Sequence, residues 1–366
     1  MLRVTRTLGL ILVTCALSAG VAWGVVVVAP LEAQHPDVGA VFEPTERSVT
    51  IIVRDERPYK LFVAGAQVGP GAGKGKGFYI GYATEKNEDL APFVQAAAND
   101  ALRNLGVTAG AGMTLEIVIR DFRIDLVRMS GFSPMNCIGY GILEASLKGP
   151  DGSEIRKKTL QVADWEDTVP VGSMKEVQKE AISRIFSHAA WETTASIVLD
   201  EWKLTPNAAE IERLVKGLDK VKDEIPAGEQ IFWLGLSRDS GGQVKDKLLS
   251  ILKTSKETKL REAAAKALGR LGAAQLRDEV SGILSGAAKS GDWDTTDTEQ
   301  VWYLIDSLAA LGEKDLRARV PATGMNMPQK VQDLISFRET GEIPKAGAAE
   351  LEKRAKAEET LMKKRQ

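Results

Sequence analysis

Residues 260–272 read L-R-E-A-A-A-K-A-L-G-R-L-G, and they constrain the fold more than any other stretch of the chain. Leu260, Ala264, Ala267, Leu268 and Leu271 recur three or four apart and so line one face of a helix. The ending A-L-G-R-L-G is echoed by S-L-A-A-L-G at 307–312, about 40 residues on, within the range of helical solenoid repeats. A solenoid presents an extended surface and suits binding or scaffolding better than chemistry. The expectation is a protein that holds a partner and carries no catalytic residues.

The remaining composition is that of a globular protein. The 366 residues are 44% apolar and 27% charged, with a formal net charge of -2, which removes any global drive toward nucleic acid or an anionic membrane. The N-terminus departs from that average. Arg3 and Arg6 precede an uncharged run from Leu8 to Leu31, the pattern of an export signal, and the two arginines keep the N-terminus cytoplasmic. Residues 1–33 are read either as a leader cleaved after Ala33 or as a retained anchor. A third reading is lipidation at Cys15, which follows a lipobox-like Leu12-Val13-Thr14. Cys137 is then the one thiol of the exported body, which excludes an internal disulfide and a cysteine-built zinc site.

Residues 34–47 read as a polar linker. From Ser48 the pattern turns to strands. S-V-T-I-I-V-R-D is β-branched and fits a pleated surface. Residues 113–124 alternate, with Leu115, Ile117 and Ile119 on one side. Residues 138–147 and 154–162 form two more strands across the hairpin turn K-G-P-D-G. Helices are predicted over 88–105, capped by Gly106, and over 174–202. This makes 48–204 an α+β domain, mainly an antiparallel sheet with covering helices. Residues 205–343 then form paired helices (208–221 with 229–236, 243–254 with 258–271, 273–288 with 298–311), and 344–366 is a charged tail.

Two resemblances follow from these residues. Asp55-Glu56-Arg57, Ile80-Gly81-Tyr82, the helix end Asp100-Ala101-Leu102-Arg103-Asn104-Leu105-Gly106 and the strand Leu115-Glu116-Ile117-Val118-Ile119 resemble the YajG-like bacterial envelope lipoproteins. That resemblance implies an exported, envelope-associated α+β domain and supplies no site residues. The repeated A-L-G-R-L-G ending resembles HEAT-type repeats, which implies an all-α HEAT-like solenoid after the first domain.

Candidate chemistry is sparse. The glycine-lysine run 69–77 lacks the Ser or Thr that a phosphate loop needs after Gly73-Lys74, and it leads into a strand where a helix should begin. Asp292, Asp294, Asp297 and Glu299 suggest a calcium loop but lack its spacing. Thr296-Asp297-Thr298-Glu299 also fits a capping box for a helix from Thr298. His188 has no second histidine beside it and reads as a surface partner of Glu192. Asp164, Glu166 and Asp167 flank Trp165 and, with 69–77, outline a cleft for a rival reading, an envelope enzyme or small-ligand carrier. Between 241 and 290 cations outnumber acids. Lys259, Arg261, Lys266, Arg270 and Arg277 are therefore a candidate interaction surface, with Glu262–Lys266 pairing on a solvated exterior as the alternative. Trp191, Trp202 and Trp233 lie at the domain boundary and are expected to pack the two domains together. The resulting expectation is a non-catalytic exported envelope protein, a periplasmic interaction or assembly module. Its partner would be another envelope protein and its N-terminus a possible membrane attachment, with no cofactor, metal or nucleic acid.

Overall fold

The computed structural model describes residues 24–28, 31–35, 38–57, 62–68, 78–83, 90–128, 135–167, 174–219, 224–238, 242–272, 276–289, 295–320 and 327–344. Strands β1 (Gly24–Val28), β2 (Ser48–Asp55), β3 (Phe62–Val68) and β4 (Phe78–Ala83) precede helix α1 (Ala91–Asn104). Strands β5 (Thr108–Ala109), β6 (Met113–Arg128), β7 (Met135–Lys148) and β8 (Glu154–Asp167) follow, then the long helix α2 (Met174–Glu201). They share one sheet, in which β6, β7 and β8 form an antiparallel meander.

Most of the pairing is antiparallel, as expected, but the sheet is mixed. β2 runs parallel to the first half of β6, and β3 meets the second half in the same sense. Parallel neighbours need a crossover, and α1 supplies it. β2 alternates buried Val49, Ile51 and Val53 with exposed Thr50, Ile52 and Arg54, so at β2 one sheet face meets helices and the other meets water. Further along β6 and β7 the second face is covered as well, by α10 (Gln329–Thr340) through Tyr140 on Phe337 and Asp125 on Lys330. On the helix-covered face of β6 shared with α2, Phe186 of α2 packs against Phe122 with ring centroids 4.4 Å apart and the rings tilted by 40°. The end of β2 is tied to the start of α1, because the buried Asp55 carboxylate accepts both the Arg57 guanidinium and the Leu90 amide.

The described residues from 38 to 47 are built into the fold rather than left as a linker. Val41 and Phe42 are buried. The Val41 amide donates to Asn104 O, and the Glu43 amide donates to Thr205 O. Asn207 donates its own amide to Val41 O and its side-chain amide to Ala40 O. One segment thus binds the end of α1 to the chain entering the helical region, and 204–207 is no free hinge. Part of the apolar N-terminal run also belongs to the sheet, since β1 lies parallel to β4. Just after it, Glu32 pairs with Lys179 at 2.8 Å.

The helical region comprises α3 (Ala208–Gly217), α4 (Glu224–Leu236), α5 (Gln243–Thr254), α6 (Thr258–Leu271), α7 (Arg277–Lys289), α8 (Thr295–Ala310), α9 (Leu316–Arg319) and α10 (Gln329–Thr340). Because α8 starts at Thr295, Thr298 and Glu299 are buried inside it and not at its cap. The two glycines of A-L-G-R-L-G have separate roles. Gly272 and its echo Gly312 take φ of +73° and +82°, the left-handed turn that closes a helix. Gly269 permits a close approach, since a Cβ there would stand 3.0 Å from Ser307 Cα on α8. Gly235 does the same for α4, where a Cβ would stand 2.8 Å from Ala267 Cα on α6. Helices α4, α6 and α8 therefore lie side by side with nearly touching backbones, and α5 and α7 pack outside them.

Gly235→Val is expected to cost about 1–3 kcal/mol, because the added group meets backbone that has no room to yield. Gly282→Ala on α7, where a Cβ meets nothing within 4 Å, is expected to gain about 1 kcal/mol of helix propensity. Urea midpoints for the two variants check this. Equal shifts would mean that α4 and α6 are not in close contact.

Candidate functional site

β8 is the outer strand of the meander, so its free edge must find hydrogen-bond partners wherever it is buried. Alternate residues of an edge strand turn their carbonyls outward. Three consecutive outward carbonyls each receive one side chain from the helical region. Gln161 O accepts from Arg338 of α10, Ala163 O accepts from Lys266 Nζ of α6 at 2.8 Å, and Trp165 O accepts from the Tyr303 hydroxyl of α8. The helical region is fastened along the sheet edge by these three groups.

Charge collects at the same seam. Lys266 Nζ also donates to Asp164 Oδ1 at 2.8 Å, and His188 Nδ1 donates to Asp164 Oδ2 at 2.7 Å. Glu166 accepts from Arg184 Nε at 3.0 Å, and Glu192 accepts from Arg270 Nη2 at 3.0 Å. The Arg270 guanidinium lies 4.1 Å above the Phe232 ring, which stacks in turn on His188. Aromatic pairs bracket these charges, with Trp191 against Trp233 and Trp165 against Trp302, each at 5.8 Å between centroids.

Burial by itself would raise the Asp164 carboxyl. The Lys266 ammonium and the His188 ring overcome that and hold it well below the usual carboxylate range. Glu192 follows the same logic, with burial opposed by Arg270 and then Lys266, and the outcome is again a lowered carboxyl. Burial pushes the Tyr303 hydroxyl upward, and the neighbouring carboxylates add to it, so it stays protonated and donates.

The ligand atoms of Asp164, Glu166 and His188 lie within 4.8 Å of one another, a spacing that could suit a divalent cation. However, Lys266 and Arg184 already occupy both carboxylates, so the chain supplies the positive charge itself. The cavity beside them, lined by Asp164, His188, Glu192 and Lys266 among others, is about 10 Å³, enough for about one water. A small-molecule site needs roughly 300 Å³ or more. A larger depression of about 400 Å³ opens elsewhere, where β8 meets α8, α9 and α10, with Gln161, Glu313, Lys314, Leu316, Arg338 and Glu339 in its wall.

The structure redistributes the residues singled out in the sequence. Among the five cations expected on a surface, Lys266 and Arg270 point into the seam. Arg261 and Arg277 are half-buried clamps on Ser255 O and Leu311 O, and the Lys259 side chain lies outside the described residues. His188 faces Asp164 rather than Glu192, which Arg270 has taken. Glu262 is buried rather than solvated. Trp191 and Trp233 pack across the boundary as expected, while Trp202 lies beneath Arg47, 4.8 Å from its guanidinium. Residues 69–77, Asp292 and Asp294 lie outside the described residues, as do the side chains of Asp167 and Asp297. Sequence reasoning missed Lys266 as a seam residue. The available signal was its position inside A-A-A-K-A-L, next to the apolar stripe.

No family model matches the sequence, and no curated protein matches it significantly. Among solved structures the chain is similar to a DUF330-family protein of Xanthomonas campestris, at 12% identity and a TM-score of 0.30, covering 47% of this chain and 95% of that one. It is also similar to a candidate lipoprotein of Caulobacter crescentus, at 19% identity, a TM-score of 0.23 and coverages of 30% and 77%. A minor lipoprotein of Acinetobacter baumannii matches at 8% identity, a TM-score of 0.22 and coverages of 44% and 97%. Among the described residues no helix is long and apolar enough to cross a membrane.

Two outcomes follow for the seam. Lys266→Met strands a buried carboxylate and is expected to cost about 3–5 kcal/mol, whereas the double change Asp164→Leu with Lys266→Met recovers much of that loss. Asp164 and Glu192 have folded pKa values below their unfolded ones, so the unfolded chain takes up their protons first as pH falls. Their stabilisation is full above the ordinary carboxylate range near 4 and drains as pH drops through the lowered folded values. Thermal melts between pH 6 and pH 2 should therefore show a falling midpoint that is shallower in the double variant. Parallel curves would remove Asp164 from that role.

Proposed function

We propose that this chain is a non-catalytic exported envelope protein in which a HEAT-like helical array serves as an interaction module for another envelope protein. The supporting observation is the seam itself. Its acids and cations are spent on one another and on the backbone of β8, and the cavity among them admits about one water. A catalytic centre needs room for a substrate beside its reacting atoms, and the space here is about 10 Å³. Export is supported by Arg3, Arg6 and the uncharged run that follows them.

The array's inner helices α4, α6 and α8 face the chain's own sheet edge and α2. A partner would therefore meet the outer helices, where Asp246 and Ser250 of α5 and Asp278 of α7 are exposed, or surfaces of the α+β domain.

Alkaline phosphatase, which matures only in an oxidising compartment, tests the export step when fused after residue 341. The fusion is expected to be active and to lose most activity in an Arg3→Glu/Arg6→Glu variant. An inactive parent fusion overturns export. A photo-crosslinking residue at Ser250 or Asp278 in cells is expected to trap a discrete partner band, and no band from either position overturns the outer face as the contact surface. N-terminal sequencing of the mature chain is expected to find β1 retained, since Gly24–Val28 pairs with β4. A mature start at Gln34 would remove β1 from the working protein.

A further inference from the structure

The carbonyl clamps on β8 stop at Gln161. The alternation that turns Gln161, Ala163 and Trp165 outward continues without a register shift through Thr159 and Lys157. No side chain or loop among the described residues bonds to the outward N–H and C=O groups of those two residues. Both are exposed, as is Ile155 at 42%. This half of the edge is open, while the other half is closed by the helical region.

The open half carries three consecutive cations. The side chains of Arg156, Lys157 and Lys158 are 43%, 48% and 40% exposed. The acids they touch, Glu201, Glu144 and Asp200, lie further in at 25%, 19% and 30%. Over 156–158 the outermost charge is therefore positive, while the exposed Glu154 at the start of β8 accepts from the Ser146 hydroxyl. Two copies of the stretch laid antiparallel would set these cations against each other, which is unfavourable and is a common guard against self-pairing. An acidic strand meets no such obstacle.

We propose that β8 from Ile155 to Thr159 accepts an extended acidic segment of a partner protein as an added strand. The proposal rests on the interaction role above and names a site for it on the α+β domain, separate from the outer helices. Main-chain bonds would come from Lys157 and Thr159, and the segment's carboxylates would lie beside Arg156, Lys157 and Lys158. Arg338 and α10 end the open edge at Gln161. There the depression of about 400 Å³ receives the end of the segment, with Lys314 exposed at its rim. Of the acids in that wall, Glu313 is held by Arg319 at 2.7 Å, and Glu339 is exposed.

The test uses the full chain and a fluorescein-labelled, end-blocked octapeptide of alternating Glu and Val, read by anisotropy. Saturable binding that weakens as salt rises is expected. The same peptide N-methylated at alternate amides is expected to bind at least tenfold more weakly, because it loses strand hydrogen bonds while the protein is untouched. Arg156→Gln/Lys157→Gln/Lys158→Gln is expected to lower affinity about tenfold with little change in melting temperature, since these pairs are exposed. Hydrogen exchange should slow at the Lys157 and Thr159 amides. Absent binding, equal binding of the N-methylated peptide, or protection confined to α5 and α7 would overturn the proposal. A partner still trapped from Ser250 or Asp278 would leave the wider interaction role standing, and loss of both would remove both.

Discussion

A sheet edge cannot be buried unless something answers its backbone, and the arrangement of this protein follows from how β8 meets that demand. β6, β7 and β8 are long strands of 16, 14 and 14 residues, so the outer one carries more edge than α2 alone can shield. The helical region closes half of it by giving one donor each from α10, α6 and α8. Those donors must project from helix faces that are otherwise apolar. Lys266 is the costly one, because a buried ammonium needs a counter-charge. Asp164, on the same strand as the carbonyl that Lys266 clamps, provides it. The Asp164 carboxylate then holds His188, and His188 places its ring against Phe232 and Trp191. One unsatisfied edge thus organises a chain of contacts through α2, α4 and α6.

The polar clamps set position, and the aromatic residues supply most of the burial. Trp165, Trp191, Trp233 and Trp302 are all essentially fully buried at or beside the seam, and side chains of that size dominate the apolar area of a contact. Burial alone would tolerate sliding, because apolar contact is non-directional. Carbonyl clamps do not, since a shift of one residue turns the outward groups inward. Gly269 contributes to this register at a distance. It brings α6 and α8 close enough for Lys266 and Tyr303 to reach carbonyls two residues apart, roughly 7 Å along a strand. A bulkier residue there would separate the helices and move one donor off its carbonyl.

The local pattern of the chain carried the elements and little of their long-range pairing. The helical periodicity of 260–272, the alternation of 113–119 and the paired glycines all reflect local geometry, and each appears where the periodicity places it. The parallel pairing of β2 with β6 depends on where α1 delivers the chain, which no local pattern records. The charges misled for a related reason. Glu262 and Lys266 stand at the spacing of a solvated helix pair, as do His188 and Glu192, and in both cases a partner remote in sequence displaced the near one. Lys266 pairs with Asp164 because the clamp on Ala163 O already holds the ammonium beside β8. Residues 34–47 misled through composition. Their polar majority conceals Val41 and Phe42, whose burial fixes the segment against α1 and the 204–207 connection.

The seam also decides where function can reside. A helical array usually offers its inner face to a partner, and here that face is covered by the chain's own sheet edge and α2. The sheet and the helical region are joined by polar clamps, aromatic packing and the 40–43 stitch to 205–207, so the inner face cannot be exposed without breaking buried ion pairs. What stays available is what the seam did not need, namely the outer helices and the half of β8 beyond Gln161. The same physical problem receives two answers along one strand. In the buried half, side chains from the array occupy the carbonyls. In the open half, the edge is left to water and bordered by three cations that repel a second copy of themselves. A border of that sign excludes by charge rather than by shape, and so it discriminates among incoming strands by the charge they carry.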